Sequence, residues 1–266
     1  MDIQIRNTIM INALKKIKVK GKYFTGGTTK NGSMGNHVVV AASSKGVWLY
    51  NANHISMCRI LIQPDAKDVI INKEMEMTVE IDKLIAHLNG FGKNTLVEIT
   101  VGDYVEIGGP SGLSRMPLML NHPMPAGINS IKNFTVAPNF AIKIGNHRTS
   151  CKVGKTELTT FLRVSPAILN PIIKGCKVID IGRYKLDYDD DRENFTISTT
   201  KSATESFSAN ANLIDQQGDS ATVEFSGPWV EFFNPEHELN VFMRDNSPVV
   251  FYNDLELLIK APFIEG

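Results

Sequence analysis

Two short amphipathic segments, each following directly on a β-type segment, constrain the fold of this chain most. The first comes after residues 3–6 and is predicted to start at a cap formed by Asn7. Its apolar residues recur at the i, i+3, i+4, i+7 spacing of one helix face: Met10, Ala13, Leu14 and Ile17. The second segment, ended by Gly90, repeats this spacing with Ile81, Leu84, Ile85 and Leu88. Helices this short among β-rich runs predict an α+β fold.

The β-rich runs between these segments are separated by turn signals. Residues 37–62 indicate a hairpin around Ser44-Lys45-Gly46, and LVEITVGDYVEIGG indicates another around Gly102-Asp103. The chain ends on a third hairpin, in which the strands Val249 to Tyr252 and Leu255 to Ile259 are joined through Asn253-Asp254. Most of the chain is therefore expected to lie in antiparallel sheets.

The order of strands and helices repeats in the second half of the chain. A helical segment near Ser165 contains Pro171, which is expected to kink or split it, and GPWVEFFNPEHEL offers barely two turns for a further helix. A proline-rich, charge-poor stretch separates the halves. The sequence thus predicts an N-terminal domain at 1–115, an interdomain connector at 116–139 and a similar C-terminal domain at 140–266.

Composition excludes several classes of protein. Lys plus Arg number 28 and Asp plus Glu number 28, so the net charge is zero. This excludes a protein that binds nucleic acid through a large overall positive charge, and any contact with nucleic acid needs a local basic patch. The three scattered cysteines favour free thiols in a reducing compartment. No apolar run reaches the ~18–20 residues of a membrane span, and the N-terminus does not have the order of a signal peptide. We expect an intracellular protein without membrane contact.

No arrangement of residues in the sequence indicates catalysis. His147 and Cys151 have no further metal ligand near them, and the glycines at 26–27 lack the order of a phosphate-binding loop. The acidic run at 187–191 is typical of a solvated turn. We therefore predict no enzyme, no metal and no cofactor.

The open faces of the two helices carry Lys15, Lys16, Lys83 and His87. Such residues usually form a solvated face. Lysines can also bind phosphates without reading bases, which is what a sliding contact on DNA requires. The residues alone leave both readings open.

Three stretches together resemble one family, the DNA sliding clamps of the proliferating cell nuclear antigen type, known from archaea, eukaryotes and viruses. They are SKGVWLYNANHISMCRILI at 44–62, the strand, helix and hairpin at 74–107, and SPVVFYNDLELLIKAPFI at 247–264. The sequence departs from the family in its neutral charge, in a missing acidic residue before His54, and in the shortened or lost fourth helix. Pro117 also falls in a presumed edge strand.

The resemblance implies a DNA-clamp fold of two similar domains, each with a helix pair packed on antiparallel sheets and joined by the connector. Copies would join through edge strands at 112–120 and 205–214 into a homotrimeric ring around duplex DNA. The ring would be a processivity factor, not an enzyme, and would tether DNA polymerase and other replication or repair partners that carry short hydrophobic plug peptides. A clamp loader is a further implied partner.

The resemblance also implies residue roles. DNA contact, independent of base sequence, is assigned to Lys15, Lys16, Lys83, His87 and Lys174. Partner binding is assigned to His54, Met57, Leu118, Leu120, Ile128, Ile131, Pro248, Ala261, Pro262, Phe263 and Ile264. An alternative function is a clamp-fold adaptor or monomeric scaffold, a viral-type accessory of replication or transcription, that does not encircle DNA. An α+β enzyme with an unrecognised site is the third reading. Subunit number, the polymerase served, the need for a loader and a cellular or viral source stay open.

Overall fold

The computed structural model describes residues 1–18, 36–52, 56–119, 140–145, 148–180 and 182–263. Contacts between residues divide the chain into two compact units, Met1–Asn53 with Cys58–Val136, and His54–Met57 with Ala137–Gly266. Both units combine helices with antiparallel sheets, which confirms the predicted α+β class. The boundaries at 115, 116–139 and 140 stay a prediction. Among the described residues, no helix is long and apolar enough to cross a membrane.

The first unit contains two helices, α1 (Asn7–Ile17) and α2 (Ile81–Asn89). Its strands are β1 (Ile3–Arg6), β2 (His37–Ser43), β3 (Gly46–Ala52), β4 (Ser56–Ile62), β5 (Val69–Ile71), β6 (Met75–Glu80), β7 (Leu96–Val101), β8 (Tyr104–Gly109) and β9 (Gly112–Pro117). One sheet has the order β5-β1-β7-β8-β9, and β4-β3-β2-β6 are neighbours in another. The predicted hairpins around Ser44-Lys45-Gly46 and Gly102-Asp103 are confirmed as β2–β3 and β7–β8.

The apolar faces of both helices are buried, as the spacing predicted. Met10, Leu14 and Ile17 of α1 have no exposed surface, and neither have Ile81, Leu84 and Leu88 of α2. Burying a side chain of this size contributes about 1.5–3 kcal/mol. The hydrophobic effect therefore holds both helices against the sheets.

The predicted cap at Asn7 is wrong. Asn7 is the first residue of α1, and the preceding Arg6 gives no side-chain cap. The Asn7 amide instead donates to the carbonyl oxygens of Leu88 at 3.1 Å and Gly92 at 2.5 Å, and its Oδ1 accepts from the Thr95 N–H at 3.0 Å. This buried side chain joins the start of α1 to the end of α2 rather than capping its own helix.

The second unit contains one α-helix in its described part, α3 (Pro166–Ile179). Its strands are β10 (Phe140–Gly145), β11 (Arg148–Val153), β12 (Thr156–Leu158), β13 (Thr160–Val164), β14 (Arg183–Asp189), β15 (Asn194–Ser202), β16 (Glu205–Asn210), β17 (Asp215–Gln217), β18 (Ala221–Ser226), β19 (Leu239–Met243), β20 (Val249–Tyr252) and β21 (Glu256–Lys260). They form the arrangements β10-β11-β12, β16-β15-β14-β18 and β17-β13-β19-β20-β21. The last pair, β20–β21, is the predicted closing hairpin.

Pro171 does not split α3, contrary to the expectation that allowed a break there. The helix runs without interruption through Pro171, which lies on its exposed side, and Ser165 caps it by accepting from the Ala167 N–H. The sequence placed the start of this helix correctly. The predicted split at Pro171 is wrong, and a kink there stays a prediction.

The expected shortening of a further helix between β18 and β19 is confirmed, since this segment holds only a 3-10 turn at Val230–Phe232. Its aromatic side chains turn inward. Trp229 is fully buried, 4.6 Å from Phe251 and 5.8 Å from Phe225 between ring centroids. A cluster of aromatic rings thus fills the core of the second unit at this point.

Candidate functional site

The exposed face of α1 and α2 carries lysines in different electrostatic states. Lys15 is exposed and has no ion pair within the described part of the chain, whereas Lys16 is half-buried. Lys83 pairs with Glu80 at 2.8 Å, and its side chain remains 58% exposed. Lys18, which the sequence reasoning did not select, pairs with Asp82 of α2 at 2.6 Å. The structure therefore brings the predicted lysines of the first unit onto one adjoining pair of helices.

His87 is oriented differently from these lysines. Its Nδ1 lies 2.5 Å from the Ser114 hydroxyl of β9, so the ring is directed at the edge of the sheet. His87 and Ser114 line an open cleft of about 460 Å³ together with Phe91 and Leu113. A role of His87 in DNA contact stays a prediction.

Lys174 lies on the exposed side of α3 without an ion pair in the described residues. The next lysine, Lys177, pairs with Glu231 of the 3-10 turn. Ile168 and Val178, 39% and 83% exposed, flank Lys174 on the same helix. Lys174 thus stands among apolar side chains on α3.

One residue of the predicted partner surface lies against a buried apolar cluster of the second unit. The half-buried Met57, which is grouped with the second unit, packs against a buried apolar cluster next to Tyr252 and Val153. The cluster consists of Cys151, Leu158, Phe161, Phe242, Val250, Leu257 and Ile259. The position of Met57 therefore agrees with a place at the margin of an apolar surface.

Pro248 and Ala261 stand together just beyond the last pair of the closing hairpin, Val249 with Lys260. Both are half-buried, as are Pro262 and, in the first unit, Leu118. Five predicted residues lie outside the described residues: His54, Leu120, Ile128, Ile131 and Ile264. The complete groove stays a prediction.

The end of the tail is fastened to another sheet of the same unit. The Phe263 N–H donates to the Glu224 carbonyl oxygen of β18 at 2.7 Å, and the Arg183 guanidinium lies 4.2 Å from the centre of the Phe263 ring. Arg183 also binds the Glu224 carboxylate at 2.7 Å. Sequence reasoning missed Arg183 and Glu224, because alternation places them on an outer face without showing which chain segment crosses it.

The two segments predicted as subunit edges contain outer strands. β9 ends its five-stranded sheet, and β16 ends its four-stranded sheet. Pro117 pairs with Tyr104 at the margin of β9, a position where proline is tolerated. Leu113 of β9 is 60% exposed. An outer strand offers unpaired backbone groups to another chain.

The three thiols are free and buried. Burial raises the pKa of Cys151 to about 12 and the pKa of Cys176 to about 11. A thiol that stays protonated is a poor nucleophile and a poor metal ligand. The prediction of free thiols is therefore confirmed.

At the level of sequence, no protein family matches the chain and no curated protein does. Solved structures do match. PCNA of A. fulgidus, solved with the C-terminal region of FEN-1 bound, has a TM-score of 0.67 and 16% identity over 100% of this chain and 99% of that chain. The beta subunit of DNA polymerase III from Thermotoga maritima has a TM-score of 0.67 and 12% identity, and the match covers 100% of this chain and 66% of that chain. The Helicobacter pylori beta clamp bound to a DNA ligase peptide has a TM-score of 0.66 and 12% identity, and the match covers 100% of this chain and 67% of that chain.

The chain has the fold of the DNA sliding clamps. Identities of 11–16% show this fold and nothing finer. The chain spans about two thirds of the bacterial beta clamps that it matches but nearly the whole of the archaeal PCNA chain. Its length is therefore close to that of the matched archaeal PCNA chain.

Proposed function

We propose that this protein is a DNA sliding clamp, a ring of several copies that encircles duplex DNA and tethers a DNA polymerase and other replication or repair partners. The observation that carries the proposal is the match of the whole chain to nearly the whole of a PCNA chain. A tether turns each new encounter of polymerase and template into an intramolecular event at high effective concentration. The protein performs no chemistry itself.

Self-association is assigned to the outer strands β9 and β16. A ring forms when two different edges of one chain pair head to tail and the rotation closes, and three copies is the expected number. Among the described residues both are the outer strands of their sheets, and Leu113 adds exposed apolar surface on β9. Main-chain hydrogen bonds between the edges would join neighbouring copies.

Partner binding is assigned to the apolar surface beside Met57, Pro248 and Ala261 and to the tail through Phe263. A short hydrophobic plug peptide fits such a surface because it buries apolar side chains against buried neighbours. FEN-1 and DNA ligase peptides are bound to two of the matched clamps. The bond from Phe263 to Glu224 would hold the tail in place before a partner arrives.

Sedimentation velocity of the purified chain, with and without primed circular DNA, tests the proposal. We expect an oligomer that co-sediments with the DNA. Leu113→Glu should dissociate it, whereas Val178→Glu, which changes an exposed apolar residue outside both edges, should not. A chain that stays monomeric and ignores DNA would refute the proposal.

A pair of double variants separates the two surfaces. Lys15→Glu with Lys16→Glu is expected to reduce retention on DNA and to spare binding of plug peptides, measured by fluorescence anisotropy. Pro262→Ala with Phe263→Ala is expected to do the reverse. Loss of the same function in both variants would contradict the assignment of two faces.

A clamp-fold adaptor that does not encircle DNA is the second candidate. The observation that favours it lies in the second unit, where a 3-10 turn replaces a helix and α3 exposes Ile168 and Val178. Sedimentation decides between the two candidates, since an adaptor of this kind would remain monomeric while still binding partner peptides.

A further inference from the structure

A second open cleft lies on the four-stranded sheet β16-β15-β14-β18 of the second unit, and its volume is about 360 Å³. Most of the charged residues that line it are cations. They are Arg183 and Lys185 of β14 and Lys201 of β15, and the one acidic residue of the lining is Glu224 of β18. The cleft is therefore a candidate site for an anionic group.

The cations of the cleft differ in whether a carboxylate neutralises them. Lys201 pairs with Glu205 of β16 at 2.8 Å. Lys185 lies opposite Glu224 in the register of β14 and β18, but Glu224 Oε2 accepts from Arg183 Nε at 3.1 Å and from Arg183 Nη2 at 2.7 Å. The half-buried Lys185 forms no ion pair with any residue that the structure describes. Lys185 is therefore the cation of this cleft that can take a carboxylate from outside.

The cleft adjoins the tail, which the proposed function assigns to partners. Arg183 and Glu224 line the cleft, and the same two residues hold Phe263 through its N–H and its ring. Lys185 follows Arg183 by two residues on β14, so both side chains leave the same face of the sheet, about 7 Å apart along the strand. A peptide bound at the tail therefore has Lys185 within reach of its flanking residues.

An acidic side chain fits this position better than a nucleic acid backbone does. A carboxylate against Lys185 gains a charge-assisted hydrogen bond, and the exposed Thr200 of the cleft lining offers a hydroxyl donor. A duplex carries a negative charge about every 1.7 Å and is held by a series of cations. Here Glu224 and Glu205 stand beside Lys185 and Lys201 and would repel neighbouring phosphates.

We infer that this cleft binds acidic side chains, Asp or Glu, that flank the hydrophobic plug of a partner peptide. The inference rests on the proposed function, since it adds a charge preference to the partner surface at the tail. Partners with an acidic flank should therefore bind more tightly than partners with the same plug and a neutral flank.

Matched peptides test the inference by fluorescence anisotropy. The plug is the C-terminal region of FEN-1 that is bound to the matched PCNA of A. fulgidus, extended at either end by a short run of glutamates or of glutamines. Binding is measured for the wild-type chain, for Lys185→Gln and for Lys185→Arg, which keeps the charge. Lys155→Gln is the matched control, because Lys155 is an exposed lysine of the same unit, outside the cleft and without an ion pair in the described residues.

We expect a glutamate peptide to bind the wild type about 5-fold more tightly than its glutamine counterpart, as one ion pair between partly exposed groups allows. Lys185→Gln should reduce this preference to less than about 2-fold, whereas Lys185→Arg and Lys155→Gln should keep it. The preference should also shrink between about 0.1 and 1 M salt, because the screening length falls from about 10 to 3 Å. The glutamine peptide should bind Lys185→Gln as it binds the wild type, which shows that the plug site is intact.

Three results would overturn the inference. Equal affinity of the wild type for both peptides, or a preference that Lys185→Gln leaves unchanged, would do so and leave the clamp function intact. A short duplex that displaces the glutamate peptide from the wild type, and that itself binds more weakly to Lys185→Gln, would assign the cleft to phosphates instead. Binding of neither peptide would remove the partner surface together with the inference, and sedimentation with DNA then shows whether the ring fails as well.

Discussion

Asn7→Asp is the sharpest test of how the helix pair of the first unit is held. The substitution keeps the shape of the side chain and its acceptor for the Thr95 N–H, but it replaces the amide donor by an oxygen. That oxygen would face the carbonyl oxygens of Leu88 and Gly92, which the amide now reaches at 3.1 and 2.5 Å. Two attractive contacts become repulsive in a site where Asn7 is 1% exposed.

The cost follows from these contacts. Leaving two buried carbonyls without their donor costs about 1–3 kcal/mol each, and burial of a carboxylate adds to this. We expect Asn7→Asp to lower the free energy of unfolding by about 3–5 kcal/mol at neutral pH, a large part of the about 5–15 kcal/mol typical of a domain. Asn12→Asp is the matched control, because Asn12 is exposed on the same helix and should change the free energy by less than about 0.5 kcal/mol.

The penalty should also depend on pH with a definite sign. Burial and the two carbonyls raise the pKa of the new carboxyl above its unfolded value of about 3.9, so the folded state binds the proton more tightly. Stability is then lost as pH rises, and the difference from wild type should shrink on acidification by up to about 1.4 kcal/mol per pH unit.

Urea unfolding, followed by circular dichroism at several pH values, gives the free energies for wild type and both variants. A loss below about 1 kcal/mol for Asn7→Asp, or a loss equal to that of Asn12→Asp, would refute the bridging role. A penalty that does not change with pH would refute the buried contact between carboxylate and carbonyls.

Three other expectations follow from packing. Gly46 and Gly112 share φ near +140°, but a Cβ at Gly46 would lie 2.4 Å from the Ile62 carbonyl oxygen and one at Gly112 would meet nothing, so Gly46→Ala should lower the thermal midpoint far more than Gly112→Ala. Trp229→Ala should cost about 3–5 kcal/mol in urea unfolding, since it empties the aromatic cluster, and a loss under about 1 kcal/mol would contradict the packing. Native protein should resist maleimide at neutral pH and react after unfolding, because all three thiols are buried: Cys58, Cys151 and Cys176.

The sequence predicted those parts of the fold that depend on periodicity. The spacing of Met10, Leu14 and Ile17 indicates one buried helix face, and the turn residues Ser44-Lys45-Gly46 indicate a hairpin. The helix and the hairpin could therefore be predicted from the sequence. The wrong cap at Asn7 has a physical cause. A buried asparagine and a capping asparagine have the same local sequence, and only the position of Thr95 and Gly92 in space separates them.

The candidate site was predictable to a smaller extent. Helical spacing predicts that Lys15 and Lys174 are exposed. It does not predict which ion pairs form near them, because those pairs join residues that are far apart in the sequence. Lys18, directly after α1, pairs with Asp82 of α2, and Lys177 of α3 pairs with Glu231 of the 3-10 turn. The contact of the Arg183 guanidinium with the Phe263 ring also joins residues that are far apart in the sequence.

The missing helix between β18 and β19 follows from its own sequence. Four bulky residues lie close together in PWVEFF, and all are less than a tenth exposed: Trp229, Val230, Phe232 and Phe233. At about 100° per residue these four side chains would also fall on one face of an α-helix, so their burial alone does not select the turn. The prolines at 228 and 235 leave six residues between them, which is fewer than two turns of an α-helix. A 3-10 turn with extended flanks buries them all.

Within the 3-10 turn only Glu231 is exposed, and its carboxylate forms an ion pair with Lys177 of α3. The segment PWVEFF therefore forms a 3-10 turn in place of a helix and also supplies the carboxylate that pairs with Lys177. Packing and charge therefore change together at this segment, because burial of its four bulky side chains leaves Glu231 exposed and beside Lys177.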